Sequence, residues 1–297
     1  MTNLGYNILV PMDFSEHAEY ALDQAIKVAK LTNGLVNVLY VHQDRKGVLS
    51  KLFSQEHTEL FDDAVKDKLK KLTEEKHLEY GVEFNYELVH ASSVATKIIE
   101  VADRNKSAMI VMGKGRLYDE GVDRFIIGSV TSRVIRYSKI PVITLGNPCS
   151  KSACKNILLP LDLSKETRQK VSWGIQMARI FGADIKVVSA LWDKNKPEVI
   201  NPLVAQMKQV KKFIREAGIK VETKIVESSD DAKSLVPIMM KFIENEGDVD
   251  MALIMTQQEN EVSNFFLGST ATEFIRKSKI PVMSIIPRDT GEIVLGL

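Results

Sequence analysis

Short apolar runs alternate with longer amphipathic segments along the whole chain. Residues 6–12 form an apolar run that ends near a proline, which is typical of a buried parallel strand. Ser15 can then cap a helix, and Gly34 is expected to end it. The inner face of this helix takes its apolar residues at helical spacing: Ala18, Leu22, Ala25, Ile26 and Ala29. The chain therefore starts as a strand followed by a helix.

The same alternation continues to the end of the chain. We predict strands over residues 6–12, 35–41, 82–89, 108–112, 140–145, 156–161, 184–189, 219–226, 251–256 and 281–286. We predict helices over residues 54–79, 94–102, 165–181, 198–217, 232–246 and 269–279, and helices that start at Ser15 and Ser129. This order predicts parallel sheets with helices on both faces. Pro141, early in the fifth strand, favours an edge position for that strand.

Two segments of the chain occur twice. Residues 128–143 are echoed by residues 268–283, with nine of sixteen positions identical, and residues 8–15 are echoed by residues 157–164. Such self-similarity indicates a duplicated unit. We predict two tandem α/β domains, residues 1–148 and 153–297, each a doubly wound five-stranded parallel sheet.

Composition agrees with two globular domains. The chain has 297 residues and a net charge of +1, so no broad basic surface indicates nucleic acid. No apolar run is long enough to cross a membrane, and the first residues lack the pattern of a secretory signal, so we expect a cytoplasmic protein. The cysteines, Cys149 and Cys154, lie between the halves and are interpreted as linker thiols.

Candidate chemistry lies just after the predicted strands of the first half, where ligands of doubly wound sheets bind. Asp13 follows strand one, Val41 closes strand two, and Gly113 and Gly115 follow strand four. Gly128 opens the last helix, whose free N–H groups favour an anion. A nucleotide across this edge would satisfy these features. Alternatively, Asp13 only helps to start the first helix, and the glycines are ordinary turn residues.

Taken together, these motifs resemble the universal stress protein family. The resemblance rests on residues 8–15, the strand end at 110–113, and the Gly-Ser and Ser-Lys-Ile-Pro-Val segments of residues 128–142. It implies a sheet order of 3-2-1-4-5 in each half, with the two domains paired as separate subunits are in single-domain members. It also implies ATP binding, with Pro11, Met12, Asp13 and Val41 around the adenosine and with Met112, Gly113, Gly115, Gly128, Ser129, Val130 and Thr131 around the phosphates.

The glycine loops depart from the family pattern. One residue separates Gly113 from Gly115 where two are expected, and twelve separate Gly115 from Gly128 where nine are expected. Gly121 can stand in for one expected glycine. Lys114 and Arg116 either supply compensating charge or are ordinary solvated residues.

The second half departs further from the pattern. No glycine follows Met255 before Gly268, and Glu259 and Glu261 add negative charge, so we expect no triphosphate there. A pairing or regulatory role is the interpretation for this half.

A possible metal cluster is the remaining candidate in the first half. Asp13, His42 and His90 end three neighbouring predicted strands, and His17 lies in the first helical turn, which together make a zinc-type ligand set. Because no spacing fixes their geometry, exposed loop histidines are the alternative, and we assign no metal ligand. No zinc-protease, nucleophile-elbow or P-loop motif is present, and we assign no catalytic residue.

The sequence thus predicts a cytoplasmic regulator that binds an adenine nucleotide, ATP with or without Mg²⁺, in its first domain. Any hydrolysis would be slow, because no general base is identified. The alternatives are a nucleotide-free interaction scaffold and, third, an enzyme or carrier for another anion. Expected partners are the nucleotide, the second domain of the same chain and a second copy in a homodimer, with neither nucleic acid nor membrane.

Overall fold

The computed structural model describes residues 5–44, 55–115, 127–148, 154–161, 167–191, 197–227, 235–256 and 269–287. The elements of the first half are β1 (Asn7–Pro11), α1 (Glu16–Thr32), β2 (Leu35–Gln43), α2 (Gln55–Tyr80), β3 (Glu83–Ala91), α3 (Val94–Arg104), β4 (Met109–Gly113), α4 (Ser129–Tyr137) and β5 (Val142–Leu145). Those of the second half are β6 (Asn156–Pro160), α5 (Thr167–Phe181), β7 (Asp184–Leu191), α6 (Pro197–Glu216), β8 (Val221–Glu227), α7 (Leu235–Glu246), β9 (Met251–Met255), α8 (Ser269–Lys277) and β10 (Val282–Ile285). The predicted alternation is confirmed.

All ten strands join one continuous sheet in the order β3-β2-β1-β4-β5-β10-β9-β6-β7-β8. Each half is parallel and has the order 3-2-1-4-5, which confirms the doubly wound α/β fold. The halves meet where β5 and β10 pair antiparallel, with Ile143 opposite Met283. The predicted edge position of β5 is therefore wrong for the whole chain. Pro141 lies before the first residue of β5, so it leaves the ladder intact.

Helix α1 begins where its sequence predicts, but it ends at a different residue from the predicted one. The Ser15 hydroxyl accepts a hydrogen bond from the Ala18 N–H, as an N-cap does. At the other end, Asn33 rather than Gly34 takes the left-handed conformation, with φ of 47°. A side chain at Gly34 would collide with the Tyr6 carbonyl oxygen at 2.4 Å. Gly34 is needed for close approach to β1, and Asn33 is the residue that ends the helix.

The core lies on both faces of the sheet. One cluster of buried residues includes the inner faces of α1, α2, α5 and α6, and the other includes those of α3, α4, α7 and α8. Strand residues alternate between the two, so that Ile8 belongs to the first cluster and Leu9 to the second. α2 is anchored by Val65 and Leu69. The helices therefore cover the sheet and leave its strand ends to form sites.

Within the described ranges, none of the helices combines the length and apolar character required to cross a membrane.

Candidate functional site

The glycine-bearing edge of the first half is built from the end of β4 and the start of α4. A methyl group on Gly128 would lie 3.7 Å from the Gly115 Cα, an ordinary contact, so the two glycines are neighbours. The Ser132 N–H donates to the Gly128 carbonyl at 2.8 Å and closes the first turn of α4. The N–H groups of residues 129–131 precede that bond and have no acceptor inside the helix. Bare backbone and a positive helix end thus meet at one place.

Gly113 and Thr131 have structural roles at this edge. A side chain at Gly113 would meet the His17 Cβ at 2.6 Å and the His17 carbonyl oxygen at 2.8 Å, so α1 packs directly on this glycine. The buried Thr131 hydroxyl donates to the Gly113 carbonyl at 3.0 Å and ties α4 to β4. Packing alone therefore explains both residues, and the hydroxyl of Thr131 is already used.

Asp13 lies exposed at the end of β1 and also organises the chain there. Its Oδ1 accepts hydrogen bonds from the Ser15 N–H at 3.0 Å and from the Ser15 hydroxyl at 2.5 Å. The helix-starting alternative is thus seen in the structure, and it leaves the carboxylate at the rim. Between Pro11 and Asp13, Met12 is buried and its N–H donates to the Leu39 carbonyl at 2.8 Å.

A half-buried apolar group faces α3 and α4 at the same edge. Val41 and Val130 belong to it, as do residues that the sequence analysis did not single out: Val89, Val94 and Ile127. Val89 is the register partner of Val41 on β3, so parallel pairing places it there. Met112 is buried beneath them. These residues make an apolar surface suited to the flat face of a base.

Lys114 is neither a phosphate ligand nor a solvated loop residue, and both expectations for it are wrong. Its side chain is 1% exposed, and its Nζ donates to the Ser278 carbonyl in the second half at 2.8 Å. Burial lowers the pKa of Lys114 from 10.5 to about 7. The side chain joins the two halves. Arg116 and Gly121 lie outside the described residues.

The second half has a different strand end at the equivalent place. Thr256 takes the position of Lys114, because the N–H of each donates to the end of the neighbouring strand, Leu145 or Ile285. Met255 accordingly replaces Gly113. Thr256 is buried, and its hydroxyl bonds to the Ile285 carbonyl. Asp162, Glu259, Glu261 and Gly268 lie outside the described residues, so the expectation of no triphosphate there stays a prediction.

Comparison with known proteins agrees with this architecture. The sequence model of the universal stress protein family matches residues 6–145 and 153–285, once per half. The chain belongs to the universal stress protein family. Universal stress protein MJ0531 of Methanocaldococcus jannaschii is 31% identical over 157 residues, which are 49% of this chain and 85% of that protein.

Solved structures show the same tandem fold of the universal stress protein family. A universal stress protein from Archaeoglobus fulgidus has a TM-score of 0.72 at 19% identity, with 96% of this chain and 97% of that one covered. A functionally unknown protein from Pseudomonas aeruginosa, PA1789, has a TM-score of 0.64 at 17% identity, with 96% and 94% covered. At these identities the likeness concerns the fold.

A second group of polar side chains lies at the ends of β2 and β3, on the α2 side of the sheet. His42 and His90 are register partners on β2 and β3, and their rings stack with centroids 4.6 Å apart. Asp62 of α2 reaches both, with Oδ1 3.0 Å from His42 Nδ1 and Oδ2 2.6 Å from His90 Nε2. Asp44 Oδ1 lies 3.1 Å from the other ring nitrogen of His90. We call His42, Asp62 and His90 the histidine cluster.

The side chains of the histidine cluster shift one another's pKa values. Burial alone would raise the pKa of Asp62, but hydrogen bonds from His42 and His90 outweigh it and lower that pKa. The pKa of His90 is raised, chiefly by its hydrogen bond to Asp62 and also by Asp44. Nearby Tyr40 has a raised pKa because of burial and the negative charges of Asp13 and Asp62.

The histidine cluster differs from the set considered in the sequence. His42 and His90 do come together, but Asp62 takes the place expected for Asp13. His17 is 9% exposed and packs against Gly113 and Tyr20 instead. Asp62 was missed because the strand-end argument considers only residues that follow strands. Asp62 lies about one third of the way along α2, which runs back across the ends of β2 and β3. That position is the feature of the sequence that could have identified it.

Proposed function

We propose that the first half binds an adenine nucleotide, ATP with or without Mg²⁺, and that the protein acts as a cytoplasmic stress-response regulator. The observation that carries the proposal is the meeting of Gly115 and Gly128 at the free amino end of α4. Membership of the universal stress protein family supports it. The nucleotide would lie along the carboxyl ends of β1, β2 and β4, where ligands of such sheets bind.

The proposed contacts divide the edge into two parts. The base and ribose would lie near Pro11, Met12, Asp13 and Val41, against the half-buried apolar group. The phosphates would lie near Met112, Gly113, Gly115, Gly128, Ser129, Val130 and Thr131. For Thr131 the proposed contact is its backbone N–H, because its hydroxyl donates to the Gly113 carbonyl. Any Mg²⁺ would be held by the phosphates and water, as is usual for nucleotide-bound magnesium.

Calorimetry of the full chain with ATP and Mg²⁺ tests this proposal. Gly128→Glu places a carboxylate beside the phosphates, and we expect ATP affinity to fall by at least about tenfold from charge repulsion. The backbone at Gly128 has φ of −58° and ordinary clearance, so the variant should fold. Gly268→Glu, the same change in the second copy of the repeat, is the matched control and should leave affinity unchanged.

The absence of ATP binding at millimolar concentration would reject the proposal. It would favour a nucleotide-free scaffold, the function to which the burial of Lys114 between the halves lends support. Binding that survives both Asp13→Ala and Gly128→Glu would place the nucleotide elsewhere. Self-association into a homodimer is a further proposal, and light scattering with and without ATP tests it.

A further inference from the structure

The histidine cluster lies at the end of β2 and β3, beside the nucleotide edge but on the other face of the sheet. Successive residues of a strand point to opposite faces, so Val41 faces α3 while His42 faces α2. The cluster therefore shares no side chain with the proposed nucleotide site.

Strand register brings two imidazoles together. His42 and His90 are direct partners in the parallel ladder, so their side chains leave the same face one strand spacing apart. Their rings are stacked, with 26° between the ring planes. The fold thus fixes two nitrogen ligands next to each other, which flexible surface histidines would not provide.

A carboxylate from a different element completes the set. Asp62 has a side chain that is 15% exposed, and it lies against both rings. One donor atom from each of the three residues lies within 4.8 Å of the others. Ligand atoms around a tetrahedral zinc ion stand roughly 3.3 Å apart, since zinc–ligand bonds are about 2.0 Å. The side chains therefore need only small adjustments to share one ion.

The surroundings are those of a supported ligand rather than of a chance cluster. The carboxylate of Asp44 holds Nδ1 of His90, which turns Nε2 toward Asp62. A carboxylate on the remote nitrogen is the usual partner of a metal-bound histidine, because it fixes the ring and raises its basicity. The ring of Phe61 stands edge-on to His42 with centroids 5.0 Å apart and forms an apolar wall.

We propose that His42, Asp62 and His90 bind a single divalent transition-metal ion, for which zinc is the best match. Two imidazoles and one carboxylate suit zinc, whereas magnesium and calcium prefer oxygen ligands throughout. Three protein ligands leave the fourth position of a tetrahedral ion to water. The ion would pin α2 to the ends of β2 and β3.

The second half provides an internal comparison. Its strands β7 and β8 pair in the same way, and the partners at the equivalent end are Leu191 and Glu227. All five histidines of the sequence lie in the first half. The proposal therefore predicts one ion per chain rather than one per half.

Zinc titration of the full-length protein, first stripped with a chelator and kept free of nucleotide, tests the site. We expect one zinc ion per chain with a micromolar or tighter dissociation constant, measured by competition with a chromophoric chelator. His42→Ala, His90→Ala and Asp62→Asn should each weaken binding by at least about a hundredfold because a direct ligand is lost. Asp44→Asn should weaken it about 10- to 100-fold, as loss of an orienting partner does.

Two control variants make the result specific. His77→Ala removes a histidine of α2, the helix that carries Asp62. His77 lies about 22 Å further along the axis of that helix, so zinc affinity should be unchanged. The double variant Cys149→Ser/Cys154→Ser excludes binding by the linker thiols and should also bind normally. Cobalt should give the intense visible absorption of a four-coordinate ion in wild type and lose it in His42→Ala.

The proposal is overturned if stripped wild-type protein takes up no zinc at micromolar concentration, in which case the histidine cluster is a hydrogen-bonded group only. It is equally overturned if zinc affinity survives Asp62→Asn and His90→Ala, or falls only in the cysteine variant. Circular dichroism of each variant establishes that lost binding is not lost folding.

Discussion

Lys114 is a single residue that links the glycine-bearing edge of the first half to the second half. Its ammonium group is buried against the Ser278 carbonyl, and its pKa falls to about 7. Between that pKa and the unfolded value of 10.5, the unfolded chain binds one more proton than the folded one. Stability attributable to Lys114 therefore rises with pH across this window, and the full cost of burial is present below pH 7.

Replacing Lys114 with methionine should consequently stabilise the protein most at low pH. We expect the free energy of unfolding of Lys114→Met to exceed that of wild type by a few kcal/mol at about pH 6. The difference should shrink by about 1.4 kcal/mol per pH unit between about pH 7 and pH 10. Urea denaturation across this range measures it, with exposed Lys139→Met as the control. A pH-independent difference would contradict the assignment.

Gly113 shows how a glycine within a predicted ligand motif can be required by packing. Gly113→Ala would drive a methyl group into the backbone and Cβ of His17, so α1 must shift. We expect a loss of about 1–3 kcal/mol in the free energy of unfolding, a typical cost of overpacking. Gly128→Ala is the matched control, because its methyl group meets only ordinary contacts, and its unfolding transition should change little. Equal losses in the two variants would refute this explanation.

Some of the residues at the candidate sites could be placed from the sequence, and others could not. The positions of Asp13 and Val41 at strand ends, and of Gly128 at the start of a helix, followed from the alternation of strands and helices. The burial of Lys114 did not, because a lysine in a polar loop gives no sign that another domain covers it. Asp62 was missed for a related reason: helical periodicity tells which residues share a face but not which strand ends that face crosses.

At the scale of elements, α2 is held by a small part of its surface. Leu69 is fully buried in the core, whereas Leu78 is 84% exposed on the same helix. Leu69→Ala should lower the free energy of unfolding by about 2–5 kcal/mol through lost burial and a cavity. Leu78→Ala, with the same chemical change, should stay within about 0.5 kcal/mol of wild type. Thermal or urea unfolding compares them, and similar effects would mean that α2 is not seated as described.

Strands were predicted better than their positions in the sheet. All ten strands were located, most of them as apolar runs because buried parallel strands are apolar throughout, and β3 through its alternating pattern. The central place of β5 was missed since its proline signalled an edge, which is correct within one half. Only pairing between the halves removes that edge, and a local pattern contains no information about pairing.

For the whole molecule, the antiparallel pairing of β5 with β10 joins the two halves into one sheet. A chain of residues 1–148 would expose β5, and an exposed strand edge readily pairs with a copy of itself. We expect this fragment to form a dimer at micromolar concentration, measured by light scattering. Thr144→Pro, which removes an N–H donor from the side of β5 that pairs with β10, should shift it toward monomer. A monomeric wild-type fragment would show that β5 pairs with β10 only.

Antiparallel pairing at the β5–β10 junction has a further consequence. The carboxyl ends of the strands in one half point the opposite way from those in the other. A ligand bound at the carboxyl ends of the strands in one half would therefore contact different residues from a ligand bound at the carboxyl ends in the other half. Each end is thus free to change its own chemistry over evolutionary time, so a lengthened loop in one copy and the loss of glycines in its twin need no mutual compensation.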